Sequence, residues 1–167
     1  MKRLGTVAVM TVLLLAIGVT AFAGGAISQA KAQQTSDIER VNAASQVFIA
    51  AIAARDISAM DALWAHEPYV TFIGPLSTVV VVGWDGVRKA WAMRFGQFDK
   101  VTISATEPHI RTNGKVAWAV GMERTQLLRK DGKTVAFEAF VTNVFENHDG
   151  RWLMVSHHST PVFSEAK

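Results

Sequence analysis

Three long runs rich in β-branched and aromatic residues, Val116–Leu128, Thr134–Phe145 and Trp152–Ser159, are separated only by tight turns, and this restricts the fold more than any other feature. The connections Lys130-Asp131-Gly132-Lys133 and Asn147-His148-Asp149-Gly150 are too short for a crossover, so neighbouring runs must pair antiparallel. Asn113-Gly114 marks a turn before the first run, and Val101–Ala105 is a fourth strand candidate. A meander of this length needs a partner layer for its apolar face. That layer must come from upstream.

The upstream half has helical spacing. Between Ser36 and Ala54, Ile38, Val41, Phe48 and Ile52 recur at helical intervals, with Ala44 and Ala51 beside them, and Ser36 with Glu39 reads as a capping box. A shorter helix is predicted from Ser58 to about Ala65, carrying Met60, Leu63 and Trp64 and closed by Pro68. Tyr69–Ile73 reads as a short strand, and Val79–Val82 as another or as one arm of a hairpin. Asp85 is a good N-cap for a third helix reaching about Phe95, in which Val87, Trp91 and Phe95 share a face. Three helices interleaved with, then followed by, a mainly antiparallel sheet make an α+β domain.

Composition matters most at the N-terminus. Met1-Lys2-Arg3 precedes an uncharged stretch from Leu4 to Ala23, the order of an export signal, with small-residue cleavage patterns at Ala21-Phe22-Ala23 and Ala30-Lys31-Ala32. Residues 1–32 are therefore expected to be a signal peptide cut after Ala23 or Ala32, leaving residues 33–167 as one periplasmic or secreted domain. An uncleaved anchor is the alternative, since about 20 apolar residues can span a bilayer. Lys2, Arg3 and Lys31 are three of 17 basic residues, and the remaining basic residues equal the 14 acidic ones. The mature chain is thus neutral. Its basic precursor pI is no argument for nucleic-acid binding, and small-molecule or protein partners fit better, with no membrane association after cleavage. There is no cysteine, which excludes disulfides, thiol catalysis and zinc–thiolate sites.

Several local phrases, in this order, resemble the nuclear transport factor 2-like superfamily, in particular its SnoaL-like branch and the association domain of calcium/calmodulin-dependent protein kinase two. They are Ala54-Arg55-Asp56-Ile57-Ser58-Ala59-Met60, Val70-Thr71-Phe72-Ile73-Gly74-Pro75, Val82-Gly83-Trp84-Asp85-Gly86-Val87-Arg88, Glu107-Pro108-His109-Ile110 and the segment Asp149–Ser159. The resemblance implies a cone in which three N-terminal helices pack in a curved sheet, a pocket at the open end, and a homodimer formed through the sheet. The superfamily includes isomerases, dehydratases, cyclases, epoxide hydrolases and non-enzymatic binding or assembly domains, so the fold alone does not assign an activity.

The residues narrow the chemistry. Ketosteroid isomerase-like members carry their base on the strand after the second helix, but here that strand, Val70-Thr71-Phe72-Ile73, has no acid, and Glu67 lies before Pro68. The association-domain resemblance places arginines where this chain has Glu123 and Asn143; a carboxylate and an amide would not attract the same anionic ligands, so specificity for an acidic metabolite is not carried over. Along Val116–Leu128 alternation puts Ala117, Ala119, Gly121, Glu123 and Thr125 on one side, small residues ending in a carboxylate. Glu123 is a candidate general base or ligand-binding acid; the plain alternative is an ion pair with a neighbouring arginine or a solvated strand end. Adjacent strand residues face opposite ways, so His157 and His158 cannot share a metal ion without a bulge. His158 matches a histidine frequent in the resembling families and is the expected pocket residue and second catalytic candidate; a structural or dimer-interface role is the alternative.

Asn143, Trp64, Tyr69, Phe72 and Trp91 are expected to contact ligand, although most of the aromatic residues should be core. His66 and His109 show no ligand spacing, and no metal or cofactor is implied. There is no nucleophile elbow, phosphate loop or dinucleotide fingerprint. The expected function is binding of a small, mainly apolar organic molecule. The alternatives are an isomerase, dehydratase or cyclase using a pocket His or Glu as general base, and a ligand-free dimeric assembly module.

Overall fold

A computed structural model describes the backbone of residues 7–163 and the side chains of residues 25–163. The chain divides into two compact units, residues 1–36 and 37–167. The start of the expected export signal, residues 1–6, lies outside the described residues, as do the side chains of its apolar stretch through residue 24. No helix among the described residues is long and apolar enough to cross a membrane.

Helix α1 spans Val7–Ala54, so Ser36 falls inside it and is not the N-cap that its spacing to Glu39 suggested. The Ala- and Gln-rich residues before Ser36 favour helix and include no proline, and the helix continues through them. Helix α2 (Ile57–Leu63) starts at Asp56, whose carboxylate accepts from the backbone N–H groups of Ser58 (2.9 Å) and Ala59 (3.1 Å). That bond pair satisfies two of the donors a helix start leaves open. Helix α3 (Trp84–Gln97) begins after Gly83, whose φ of 83° is accessible to glycine but rarely to other residues. Asp85 lies in its first turn instead of capping it, where its charge still complements the helix dipole.

The strands are β1 (Thr71–Ile73), β2 (Val81–Val82), β3 (Phe98–Ala105), β4 (His109–Thr112), β5 (Val116–Arg129), β6 (Thr134–His148) and β7 (Arg151–Pro161). They form one sheet in the order β2-β1-β7-β6-β5-β3, with β4 also pairing β5. The sheet is mixed: β1 runs parallel to β7, the other named strands pair antiparallel, and Trp64 makes an isolated parallel bridge to Met154 of β7. Between β6 and β7, Asp149 and Gly150 both take positive φ, 53° and 89°, the pattern of a two-residue hairpin turn.

Within residues 37–167 the three helices cover one face of the sheet. Val41, Phe48, Ala51 and Ile52 of α1 pack with Met60 and Leu63 of α2 and with Val87, Trp91 and Phe95 of α3. From the sheet come Phe72, Ala117, Ala119, Phe145, Trp152 and Met154. Each large side chain buried here contributes about 1.5–3 kcal/mol of transfer free energy, and without a cysteine this core alone opposes chain entropy.

Strand β7 departs from simple alternation. Met154 pairs Phe145 and Ser156 pairs Val144, so Val155 is an extra residue in the ladder. Trp152, Met154, Val155, His157 and Ser159 are all buried, whereas His158 is exposed. The bulge shifts the alternation by one residue. Counted from Trp152, His158 would face the core; past Val155 that place belongs to His157.

Candidate functional site

The helix-covered face carries a short track of polar groups through an otherwise apolar interior. Glu123 is only 6% exposed, in the β5 row with Ala117, Ala119 and Thr125 as alternation predicts. Among the described residues it forms no hydrogen bond and no ion pair; Arg124 is paired with Glu138 on the other face. Burial alone raises its pKa to about 7. A carboxyl held this way is divided between acid and carboxylate at neutral pH, the condition for moving a proton in either direction.

Glu123 lines a cleft with Ser45 and Ile49 of α1, Thr106, Gly121 and Asn143. Small residues such as Ala119 and Gly121 on β5 would by themselves leave room for a ligand. Instead α1 lies over them, and the water-accessible interior is about 20 Å³, enough for one water molecule. A wider groove of about 460 Å³ lies over Thr102, Arg124, Gln126 and Glu138 on the opposite face, where Arg124 and Glu138 neutralise one another.

Asn143 joins the cleft to His157. Its Oδ1 lies 2.7 Å from Nδ1 of His157, and since an amide oxygen can only accept, Nδ1 carries the proton and Nε2 keeps its lone pair. His157 is surrounded by Phe48, Phe72 and Trp91 at ring distances of 5.1, 5.6 and 5.9 Å, with the Phe72 ring nearly parallel to it at 15°. Burial, then the nearby positive charges of Arg94 and His158, lower its pKa to about 3. It is a neutral, oriented hydrogen-bonding group. Arg94 of α3 lies beyond it, with its guanidinium carbon 5.0 Å from the centre of the Phe72 ring. Gly74 leaves the space: a Cβ there would overlap the guanidinium.

The expected site residues divide into two groups. Glu123, Asn143, Phe72 and Trp91 are buried on the helix-covered face, and His157 and the cleft bring them together. His158 does not join them: it is exposed on the opposite face, where Nε2 lies 3.2 Å from the Thr160 hydroxyl. Tyr69 is 50% exposed and donates to Glu146 at 2.6 Å, a bond that raises its own pKa to about 12. Trp64 is buried beside Trp84. Of the two histidines without ligand spacing, His66 stacks on Trp84 at 4.5 Å and His109 is exposed on β4. Among the described residues no group of three His, Asp or Glu side chains is placed to hold a metal ion.

His157 and Arg94 are the residues that sequence reasoning missed. The bulge hides the first. The second had a visible signal, because Arg94 follows Trp91 by three residues and precedes Phe95, on the side of α3 that the 87/91/95 spacing marks as buried.

The fold recurs in solved structures. A nuclear transport factor 2-like superfamily protein from Salmonella enterica superposes with a TM-score of 0.72 at 20% identity, covering 79% of this chain and 96% of its own. A proposed dehydratase of the NTF2-like family from Streptomyces avermitilis gives 0.70 at 23% identity, covering 78% and 99%. A protein from Thiobacillus denitrificans assigned as a calcium/calmodulin-dependent protein kinase type II association domain gives 0.60 at 27% identity, covering 72% and 94%. The helices packed against a mixed, unclosed sheet thus have the NTF2-like cone fold. In sequence, the chain is 31% identical over 113 residues to the F-box protein SKIP8 of Arabidopsis thaliana, which covers 68% of this chain and 46% of that protein. The chain therefore spans about half the length of this curated relative. The family model of the SnoaL-like domain matches residues 41–164, and the protein belongs to that family.

Proposed function

We propose that this SnoaL-like domain binds a small organic molecule on the track formed by Glu123, Asn143 and His157. The observation that carries the reading is Glu123: a buried carboxyl with no partner among the described residues, bordering a cleft. An isolated buried acid destabilises the fold once ionised, and such groups concentrate at functional sites. The cleft holds about one water molecule, so ligand entry requires α1 to move away from β5 near Ser45 and Ile49. Native mass spectrometry of protein purified from its own cell envelope tests the reading. A retained organic mass that is lost on Glu123→Gln substitution is the expected result, and identical ligand-free spectra for both proteins would remove the proposal.

Enzymatic turnover is a second reading, favoured by the Glu123 pKa of about 7. The carboxylate would take a proton from carbon beside a carbonyl, and the resulting acid would return it elsewhere on the same molecule, or protonate a leaving hydroxyl. These are the proton movements of an isomerase and a dehydratase, and one structural neighbour is a proposed dehydratase. His157, with its pKa near 3, would accept a hydrogen bond from substrate instead of serving as base. Turnover of the retained compound that survives Glu123→Gln would exclude this mechanism.

We further propose that the domain acts outside the cytoplasm, on the strength of the basic-then-apolar N-terminal segment. N-terminal sequencing of the mature protein should begin at Gly24 or Gln33. An intact Met1 would favour the anchor.

A further inference from the structure

We infer that Arg94 is an anion anchor, so that the molecule bound by this domain carries a carboxylate, which docks on the guanidinium beside Phe72 and Gly74. The inference rests on the small-molecule reading above and names the ligand's chemical class.

Among the described residues Arg94 differs from every other arginine. The rest are exposed, and each has an ion pair or a hydrogen bond: Arg88 with Asp61, Arg124 with Glu138, Arg55 with the Phe98 carbonyl. Arg94 is drawn partly into the protein and has neither. Surface arginines are easily hydrated, so partners there contribute little; a desolvated guanidinium gains much more from an anion. The protein nevertheless surrounds Arg94 with an aromatic face and a glycine instead of a carboxylate.

One turn away on the same helix, Trp91 has a buried indole N–H that also lacks an acceptor among the described residues. Trp91 packs against both Phe72 and His157, so two donors without acceptors border one aromatic cluster. His157 is neutral, so it presents no charge of its own to Arg94. Glu123 and Asn143 line the same cleft, and Asn143 in turn is bonded to His157. A carboxylate at Arg94 would leave the neutral part of the molecule to extend toward His157 and Glu123. A planar fork of N–H donors suits that group.

Benzoate and its neutral isostere benzamide test this directly, titrated into the full-length domain while the indole N–H resonances are followed by nitrogen–proton correlation spectroscopy. The Trp91 signal is assigned by its absence in Trp91→Phe. Benzoate should move it in a saturable way, with benzamide at least about tenfold weaker, as expected when one charge-assisted hydrogen bond is lost. Arg94→Gln should remove the difference between the two compounds, and Gly74→Ala, whose methyl displaces the guanidinium, should reduce it. Equal binding of both compounds to the wild-type protein would overturn the anion assignment while leaving the small-molecule reading intact. A benzoate preference that persists in Arg94→Gln would also overturn it. Binding of neither compound overturns the anchor, and combined with ligand-free mass spectra it removes both proposals.

Discussion

Glu123 keeps its proton up to about pH 7 because burial disfavours the carboxylate, and His157 stays neutral down to about pH 3 because burial disfavours the imidazolium. The consequences for stability have opposite sign. Between 4.5 and 7 the folded state holds a proton at Glu123 that the unfolded chain has released, so stability falls as pH rises, by about 1.4 kcal/mol per unit. Between 3 and 6.5 the unfolded chain protonates a histidine that the folded state leaves neutral, so stability falls as pH drops, with the same slope. In the shared window, 4.5–6.5, the slopes cancel. Urea unfolding of the wild-type protein should therefore be nearly flat there and weaken below pH 4.5. Glu123→Gln deletes one slope, so its stability should climb with pH across the window and exceed the wild type by about 3 kcal/mol above pH 7.5. Parallel curves for the two proteins would show that Glu123 does not titrate as its burial requires.

At the scale of elements, α3 starts without a side-chain cap, after a glycine at positive φ. Gly83 has φ 83° and ψ 146°, a region almost closed to residues with a Cβ, yet an added Cβ would approach only the Pro68 carbonyl, at 3.6 Å. Gly83→Ala should therefore cost about 1–3 kcal/mol through conformation and not collision. Gly96 lies within the same helix with open space around it, and Gly96→Ala should stabilise by about 0.5–1 kcal/mol. Thermal melts of the pair should move in opposite directions; movement of both downward would refute the conformational account. These two glycines also mark how far the sequence could be read. The 87/91/95 spacing and the three turn-separated runs reveal the buried face of α3 and the meander, because hydrophobic period follows from which side is buried. Strand β4, only His109–Thr112, is too short and too polar to stand out. The β7 bulge is invisible for another reason: Val155 is as strand-like as its neighbours, so composition does not show the extra residue that exchanges His158 for His157. Glu123 was legible because β5 alternates without interruption; its lack of an ion-pair partner was not, since that depends on which strands lie beside it.

For the molecule as a whole, the opposite face of the sheet is the more conspicuous surface. The register places Met122 beside Phe140, Trp118 beside Val144, and Val120 beside Thr142, with His158 next in that last row. Phe140 is 55% exposed, Trp118 45% and Val120 38%, on adjoining strands. One exposed apolar side chain needs no explanation, but a contiguous group on one face of a sheet marks an interface. We propose that a second copy of the chain covers it, as the resemblance to nuclear transport factor 2-like proteins implies. A self-complementary sheet face suits a two-fold dimer, in which each row meets its own copy. A stable pair needs about 800 Å² from each protomer, and a central aromatic residue carries a large share of the energy. Sedimentation equilibrium at micromolar concentration should give a dimer for the wild-type domain. Phe140→Asp, which sets two carboxylates against an apolar partner surface, should weaken association by about a hundredfold and yield a folded monomer. Because Phe140 faces away from the helices, near-ultraviolet circular dichroism of the core tryptophans should survive the change. A wild-type domain that sediments as a monomer would leave this face to a different partner, whereas a Phe140→Asp dimer would move the interface elsewhere on the molecule.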